Sequence, residues 1–175
     1  MEYPRTRSLA LFLATGAGDL EFVLETVMYM PAEELLRSKD NNQMTALHLA
    51  VLEGHLEIVK VLVDRMTQEA LMAQDCFQMT ALHFTADKGH LEIVQVLVDR
   101  MSLEALMATD VFHRTSLHCA VDIGHLGIVQ ALADRMLQKD MVANSHQILM
   151  KALQVAQKFQ QTSIVEYLST KYPNL

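Results

Sequence analysis

Three histidines recur at one interval in this sequence, and histidine is a common metal ligand. His48, His83 and His118 are 35 positions apart (83 − 48 = 35; 118 − 83 = 35). At equivalent places in stacked units, the three rings would lie about one helix-packing distance apart, roughly 10 Å. Zinc–nitrogen bonds are about 2.1 Å long, so one ion cannot join them. We therefore predict that these histidines are structural and that the chain has no metal site.

A nucleophile and a base are also adjacent in the sequence, as Cys119 and His118. Neighbouring residues of a helix point away from each other, so this pair does not face one substrate atom. The chain has no glycine-rich phosphate loop, no nucleophile elbow and no zinc-protease motif. Its carboxylates are scattered in the manner of a solvated surface. We predict no catalytic residue, no cofactor and no enzymatic activity.

Composition narrows the classes of partner. The chain has 14 Lys and Arg against 21 Asp and Glu, a net charge of −7. Nucleic acids and anionic membranes attract basic surfaces, so neither is expected as a partner. No apolar run approaches the roughly 20 residues that span a bilayer, and we expect no targeting segment. Cys76 and Cys119 occupy non-equivalent positions, which favours reduced thiols and a cytoplasmic location.

The elements that position these residues repeat with the same period of 35. A Thr-x-Leu-His motif begins at Thr45, Thr80 and Thr115, and a Gly-His-Leu triplet begins at Gly54, Gly89 and Gly124. A period between about 20 and 50 residues is typical of solenoids. The sequence therefore predicts an array of similar units.

Each unit reads as a helix, a glycine stop and a second helix. In the central copy, Thr80 precedes an apolar-periodic run and is predicted to cap a helix N-terminus. That helix should end at Asp87 or Lys88, because Gly89 follows. Residues 91–98 are apolar nearly all round, as expected of a helix packed between neighbouring units.

We predict one domain over residues 1–175, built of five units. Three are complete, and the end units are degenerate copies that cap the core. The predicted bounds are 5–39, 40–74, 75–109, 110–144 and 145–175.

These motifs together resemble the ankyrin repeat. The resemblance implies an all-α solenoid of stacked helix-turn-helix units, with projecting finger loops and a concave binding face. It also implies that His48, His83 and His118 bond backbone between adjacent repeats, and that His55, His90 and His125 are structural. The longer linker, Asp-Arg-Met-x-x-Glu-Ala-Leu, looks like that of ankyrin proteins from host-associated intracellular bacteria. One interpretation is therefore that this chain is a bacterial effector that acts in the cytosol of a host cell.

The sequence departs from the family in its fingers. The family has a period of about 33 and a glycine two positions before the threonine. Here that place holds Gln43, Gln78 or His113. A left-handed residue other than glycine costs about 1 kcal/mol. We therefore expect fingers reshaped from the usual hairpin.

The resemblance places partner contacts on the fingers and at the exposed end of each first helix. The predicted function is a non-catalytic scaffold that binds another protein through this surface. The predicted contact residues are Asn41, Asn42, Met44, Leu52, Glu53, Phe77, Met79, Asp87, Lys88, Val111, Phe112, Arg114, Asp122 and Ile123.

Three alternatives remain open at this point. Phe77 and Phe112 are equivalent at a step of 35, so they could instead stack on each other and be buried. The chain, expected to be a monomer, could self-associate through apolar fingers or an incompletely capped end. It could also be the recognition module of a larger enzyme or of a bacterial effector.

Overall fold

A computed structural model describes residues 3–137 and 143–173. Within these ranges the chain is helical and contains no strand. The helices are α1 (Tyr3–Ala17), α2 (Leu20–Met28), α3 (Ala32–Arg37), α4 (Ala46–Leu52), α5 (Leu56–Arg65), α6 (Gln68–Leu71), α7 (Ala81–Lys88), α8 (Leu91–Arg100), α9 (Leu103–Leu106), α10 (Ser116–Ile123), α11 (Leu126–Leu137), α12 (Ala143–Lys158) and α13 (Thr162–Lys171).

The helices stack as successive pairs in two layers. The first helices of the pairs form one layer, in which α4 packs against α1 and α7, and α10 packs against α7 and α12. The second helices form the other, in which α5 packs against α2 and α8, and α11 packs against α8 and α13. Each helix pair therefore packs against the pair before it and the pair after it, which is the arrangement of a solenoid. The predicted all-α solenoid is confirmed.

The repeated threonine and histidine together begin the first helix of the three middle pairs. In α7 the Thr80 hydroxyl accepts the backbone N–H of His83, and Nδ1 of His83 accepts the backbone N–H of Thr80 at 3.2 Å. This is a capping box with histidine in the place usually held by Glu or Gln. Thr45 and Thr115 form the same box with the histidines three residues later. The predicted helix start at Thr80 is confirmed.

Glycine ends the first helix where the sequence predicted it. Gly89 follows α7 with φ +81°, and its N–H donates to the carbonyl of Thr85. The ring of His125 packs directly on this glycine, since a Cβ there would lie 2.8 Å from Cε1. In the same way, the ring of His55 packs on Gly18 and the ring of His90 packs on Gly54, the glycine of the preceding unit in each case. These histidines are packing residues, as predicted.

The finger loops differ from expectation. Gln43, Gln78 and His113 have φ of +62°, +58° and +58°, so each side-chain-bearing residue takes the left-handed conformation that glycine usually provides. The expected reshaping is therefore wrong. The hydrogen bonds that close each finger hold the strained residue in place.

Glycine at these three positions should stabilise the fold. We expect Gln43→Gly, Gln78→Gly and His113→Gly each to raise the free energy of unfolding by about 0.5–1 kcal/mol, because the left-handed strain is relieved. Urea unfolding measures the change. Asn41→Gly is the matched control, since Asn41 lies in the same finger without a positive φ, and it should lose stability. If Gln43→Gly and Asn41→Gly changed the free energy of unfolding equally, the prediction that residue 43 is strained would be wrong.

The last helix pair departs from the repeat. α12 has 16 residues against 8 in α10, and it begins at Ala143. The predicted first residue of the last unit, residue 145, lies inside its first turn. The described residues therefore contain no finger before α12. The finger loops that the structure describes are residues 40–44, 75–79 and 110–114.

Candidate partner-binding surface

One aspartate organises each finger. Oδ1 of Asp75 accepts the backbone N–H groups of Phe77 and Met79, both at 2.8 Å, and the Asp75 N–H donates to the Met79 carbonyl at 3.0 Å. Asp40 and Asp110 close their fingers with the same three bonds. This local side-chain to backbone bonding fixes a tight turn. Sequence reasoning gave these aspartates no role, although their recurrence every 35 residues marks them.

The fingers are also bonded to one another. The N–H of Cys76 donates to the carbonyl of Asn42 at 2.9 Å, and the N–H of Val111 donates to the carbonyl of Phe77 at 3.1 Å. The fingers therefore form one connected row.

The capping-box histidines add a second set of bonds between neighbouring units. Nε2 of His48 lies 3.2 Å from the carbonyl of Met79, and Nε2 of His83 lies 3.1 Å from the carbonyl of Arg114. Because Nδ1 accepts a backbone N–H, Nε2 carries the proton that is donated. For these two histidines, the predicted bonds between adjacent repeats are confirmed.

Phe77 and Phe112 project from this row into solvent. Their side chains are 58% and 70% exposed. The alternative that they bury each other is therefore wrong, because the finger backbones are held by their own aspartates and do not fold back. Single exposed apolar residues are common, but the adjacent Val111 is also exposed, as is Ile123 at the end of α10.

The other predicted contact residues lie at or near the surface. The remaining exposed ones are Asn41, Asn42, Glu53, Asp87 and Lys88. The half-buried ones are Met44, Leu52, Met79, Arg114 and Asp122.

Arg114 is held by a cluster of charges at the third finger. Its guanidinium bonds the buried Asp110 carboxylate at 2.8 Å and Asp122 at 3.3 Å, and it lies 5.2 Å from the ring centroid of Phe112. Burial raises the pKa of Asp110, but donation from the Arg114 and Phe112 N–H groups and the guanidinium outweighs it, so the pKa lies below its ordinary value. The cluster fixes Arg114 beside Phe112.

The cysteine and histidine considered for catalysis lie inside the stack. Cys119 is buried, and burial raises the pKa of its thiol to about 11. A protonated thiol is a poor nucleophile. Among residues 3–137 and 143–173, no three His, Cys, Asp or Glu side chains come close enough to hold a metal ion. Over the same ranges, no helix has the length and apolar character to cross a bilayer.

These features define an α-solenoid protein with stacked helix pairs and a row of rigid finger loops. Comparison with family models gives the family: the ankyrin-repeat model matches three copies, over residues 4–75 and 66–143. The chain belongs to the ankyrin-repeat proteins. A search of curated proteins found no match. Ankyrin repeats are generally protein–protein interaction modules and typically lack catalytic activity.

Proposed function

We propose that this chain is a non-catalytic scaffold that binds another protein through its concave face and finger loops. The observation that carries the proposal is the exposure of Phe77 and Phe112 on fingers whose backbones are fixed by hydrogen bonds. Phenylalanine and arginine are enriched in protein interfaces. Fixed loops lose little conformational freedom on binding, which favours affinity.

The surface around the fingers supports an apolar anchor with a polar rim. Val111, next to Phe112 in the finger, and Ile123, at the end of α10, are further exposed apolar residues. Asp87 and Lys88 lie exposed at the end of α7, and Glu53 lies exposed after α4. A central apolar anchor surrounded by polar groups is the usual anatomy of an interface.

The organisation of the chain is part of the same proposal. We propose one domain of five ankyrin units, because five helix pairs pack in sequence. A cytoplasmic location is supported by two free cysteines, one exposed and one buried. A delivered bacterial effector remains a proposal based on the linker resemblance, and transfer into host cells is its test.

Replacing the two phenylalanines should abolish partner capture. We expect Phe77→Asp/Phe112→Asp to retain less than about one tenth of the partner that the parent chain retains from a cell lysate, because charge replaces the apolar anchor. Quantitative mass spectrometry of the captured proteins measures this. Circular dichroism should show an unchanged helical fold, since both side chains are exposed.

The matched control is Met28→Asp. Met28 is an exposed apolar residue of α2, outside the fingers. The equivalent position in the next two units holds an aspartate, Asp64 and Asp99, so the helix pair accepts aspartate there. This variant should capture as much partner as the parent. Full capture by the folded double variant would show that the contact lies elsewhere on the protein.

A further inference from the structure

The N-terminal end of the stack exposes large apolar side chains on both helices of its first pair. Leu9 and Leu13 of α1 lie one helical turn apart, and Leu13 is 67% exposed. Phe22 of α2 and Tyr29 directly after it are also exposed, Tyr29 to 74%. We call these four residues the N-terminal end face.

The position of Phe22 is covered in the later pairs. Phe22 corresponds to Ile58, Ile93 and Ile128, and each isoleucine is only 2% exposed. The later pairs differ from the first in having another pair packed before them. Phe22 therefore faces that side of the stack.

Arginines at the position of Tyr29 confirm this direction. Tyr29 corresponds to Arg65, whose guanidinium donates to the carbonyls of Val27 and Met28 in the preceding pair. Arg135 likewise donates to the carbonyl of Val98. Tyr29 therefore lies, like Phe22, on the side of the first pair where a preceding pair would pack.

The C-terminal end of the stack is different in character. Val121 and Ala133, which are fully buried in the fourth pair, correspond to Gln157 and Ser169 in the last pair, and both of these are exposed. A polar end does not offer an apolar contact to the N-terminal end face of another copy. Head-to-tail stacking is therefore disfavoured, whereas two N-terminal end faces are alike and apolar.

The charges of the first pair are self-complementary. Among the side chains that the structure describes, α1 has the exposed Arg7 and no acidic residue, whereas α2 has the exposed Glu21 and Glu25 and no basic residue. A two-fold axis that lays α1 of one copy on α2 of the other brings opposite charges together. Because an isologous interface repeats every contact, this pairing occurs twice.

We propose that the N-terminal end face binds the same face of a second copy, giving a two-fold symmetric dimer with α1 against α2. Burial of four large apolar side chains from each copy drives the association. Opposite charges set its orientation. Leu9 shares a cleft with Asp40 and Asn41 of the first finger, whereas Phe77 and Phe112 belong to the second and third fingers.

Sedimentation equilibrium of the 19.7 kDa chain over a range of concentrations tests the proposal. We expect the mass to rise towards twice that value, and high salt to weaken association. Leu13→Asp and Tyr29→Asp should each raise the dimer Kd at least about tenfold. Phe112→Asp, the finger control, should leave Kd unchanged. Circular dichroism checks that each variant is folded. If Leu13→Asp is unfolded, the dimer Kd of Tyr29→Asp alone tests the proposal.

Two results would overturn the dimer. One is a parent chain that keeps its monomer mass up to about 1 mM, the weak limit of specific association. The other is a dimer that Phe112→Asp dissociates and the end-face variants do not, because the contact would then lie at the fingers. The first result does not bear on whether the fingers capture a different protein.

Discussion

Lowering the pH from 7 to 4 should destabilise the folded chain by at least about 3 kcal/mol, through histidines that are buried without charge. Burial lowers the pKa of His48 from 6.5 to about 4. Burial also lowers the pKa of His83 and His118. The difference of about 2.5 pKa units at His48 alone corresponds to about 3 kcal/mol.

The direction of this effect follows from proton binding. The unfolded chain binds a proton at His48 near pH 6.5, and the folded chain does so only near pH 4. Stability is therefore fully present above about pH 6.5 and falls as the pH drops through this window. The capping box gives the structural reason, since Nδ1 accepts the Thr45 N–H and cannot do so once protonated.

Urea unfolding at pH 7, 6, 5 and 4 measures this loss. The variant His48→Gln is the control, because Gln is a usual capping-box residue but does not titrate. It should be less stable at pH 7, having lost the bond to the Met79 carbonyl, and its stability should depend less on pH. Asp110 and Asp134, whose pKa values lie below 3.8, lose their contribution only at lower pH. Constant stability between pH 6.5 and 4.5 would contradict the prediction.

Gly89→Ala should lower the free energy of unfolding by about 3 kcal/mol. Left-handed strain costs alanine about 1 kcal/mol or more at φ +81°. The new Cβ would also lie 2.8 Å from Cε1 of the His125 ring, so the ring must shift within the contact between units. Overpacking of this kind costs a further 1–3 kcal/mol or so. Urea unfolding at pH 7 measures the sum.

Gly16→Ala is the control for this prediction. Gly16 lies within α1, and an added Cβ would meet the Leu49 side chain at 3.4 Å, an ordinary contact distance. Alanine favours helix over glycine by up to about 1 kcal/mol, so this variant should be unchanged or more stable. If both variants lost a similar amount of unfolding free energy, neither the left-handed backbone nor the His125 ring would be the reason that residue 89 requires glycine.

The sequence predicted the fold because its local signals agree with the packing. Thr80 and Gly89 bound α7 in the sequence and in the structure, since capping groups and left-handed glycine act on their immediate neighbours. The buried isoleucines recur at the same step of 35, so the contacts between pairs are also periodic. Capping residues, the glycine stop and the repeat period were therefore sufficient to predict the solenoid architecture.

The fingers and the ends were less accessible to sequence reasoning. The left-handed conformation of Gln78 depends on the closed Asp75 turn, which propensity at residue 78 does not predict. The exposure of Phe77 depends on where the whole finger points. The open N-terminal end face needed the stack itself, because Phe22 is as apolar as the isoleucines that later pairs bury.

Under the proposed function, the start of α12 at Ala143 limits the length of the partner segment that the finger row can contact. Because the described fingers number three, and stacked helices are about 10 Å apart, the row is about 20 Å long. Extended chain advances about 3.3 Å per residue and α-helix 1.5 Å. The row thus matches a recognition motif of about six residues if the partner is extended, or about thirteen if it is helical.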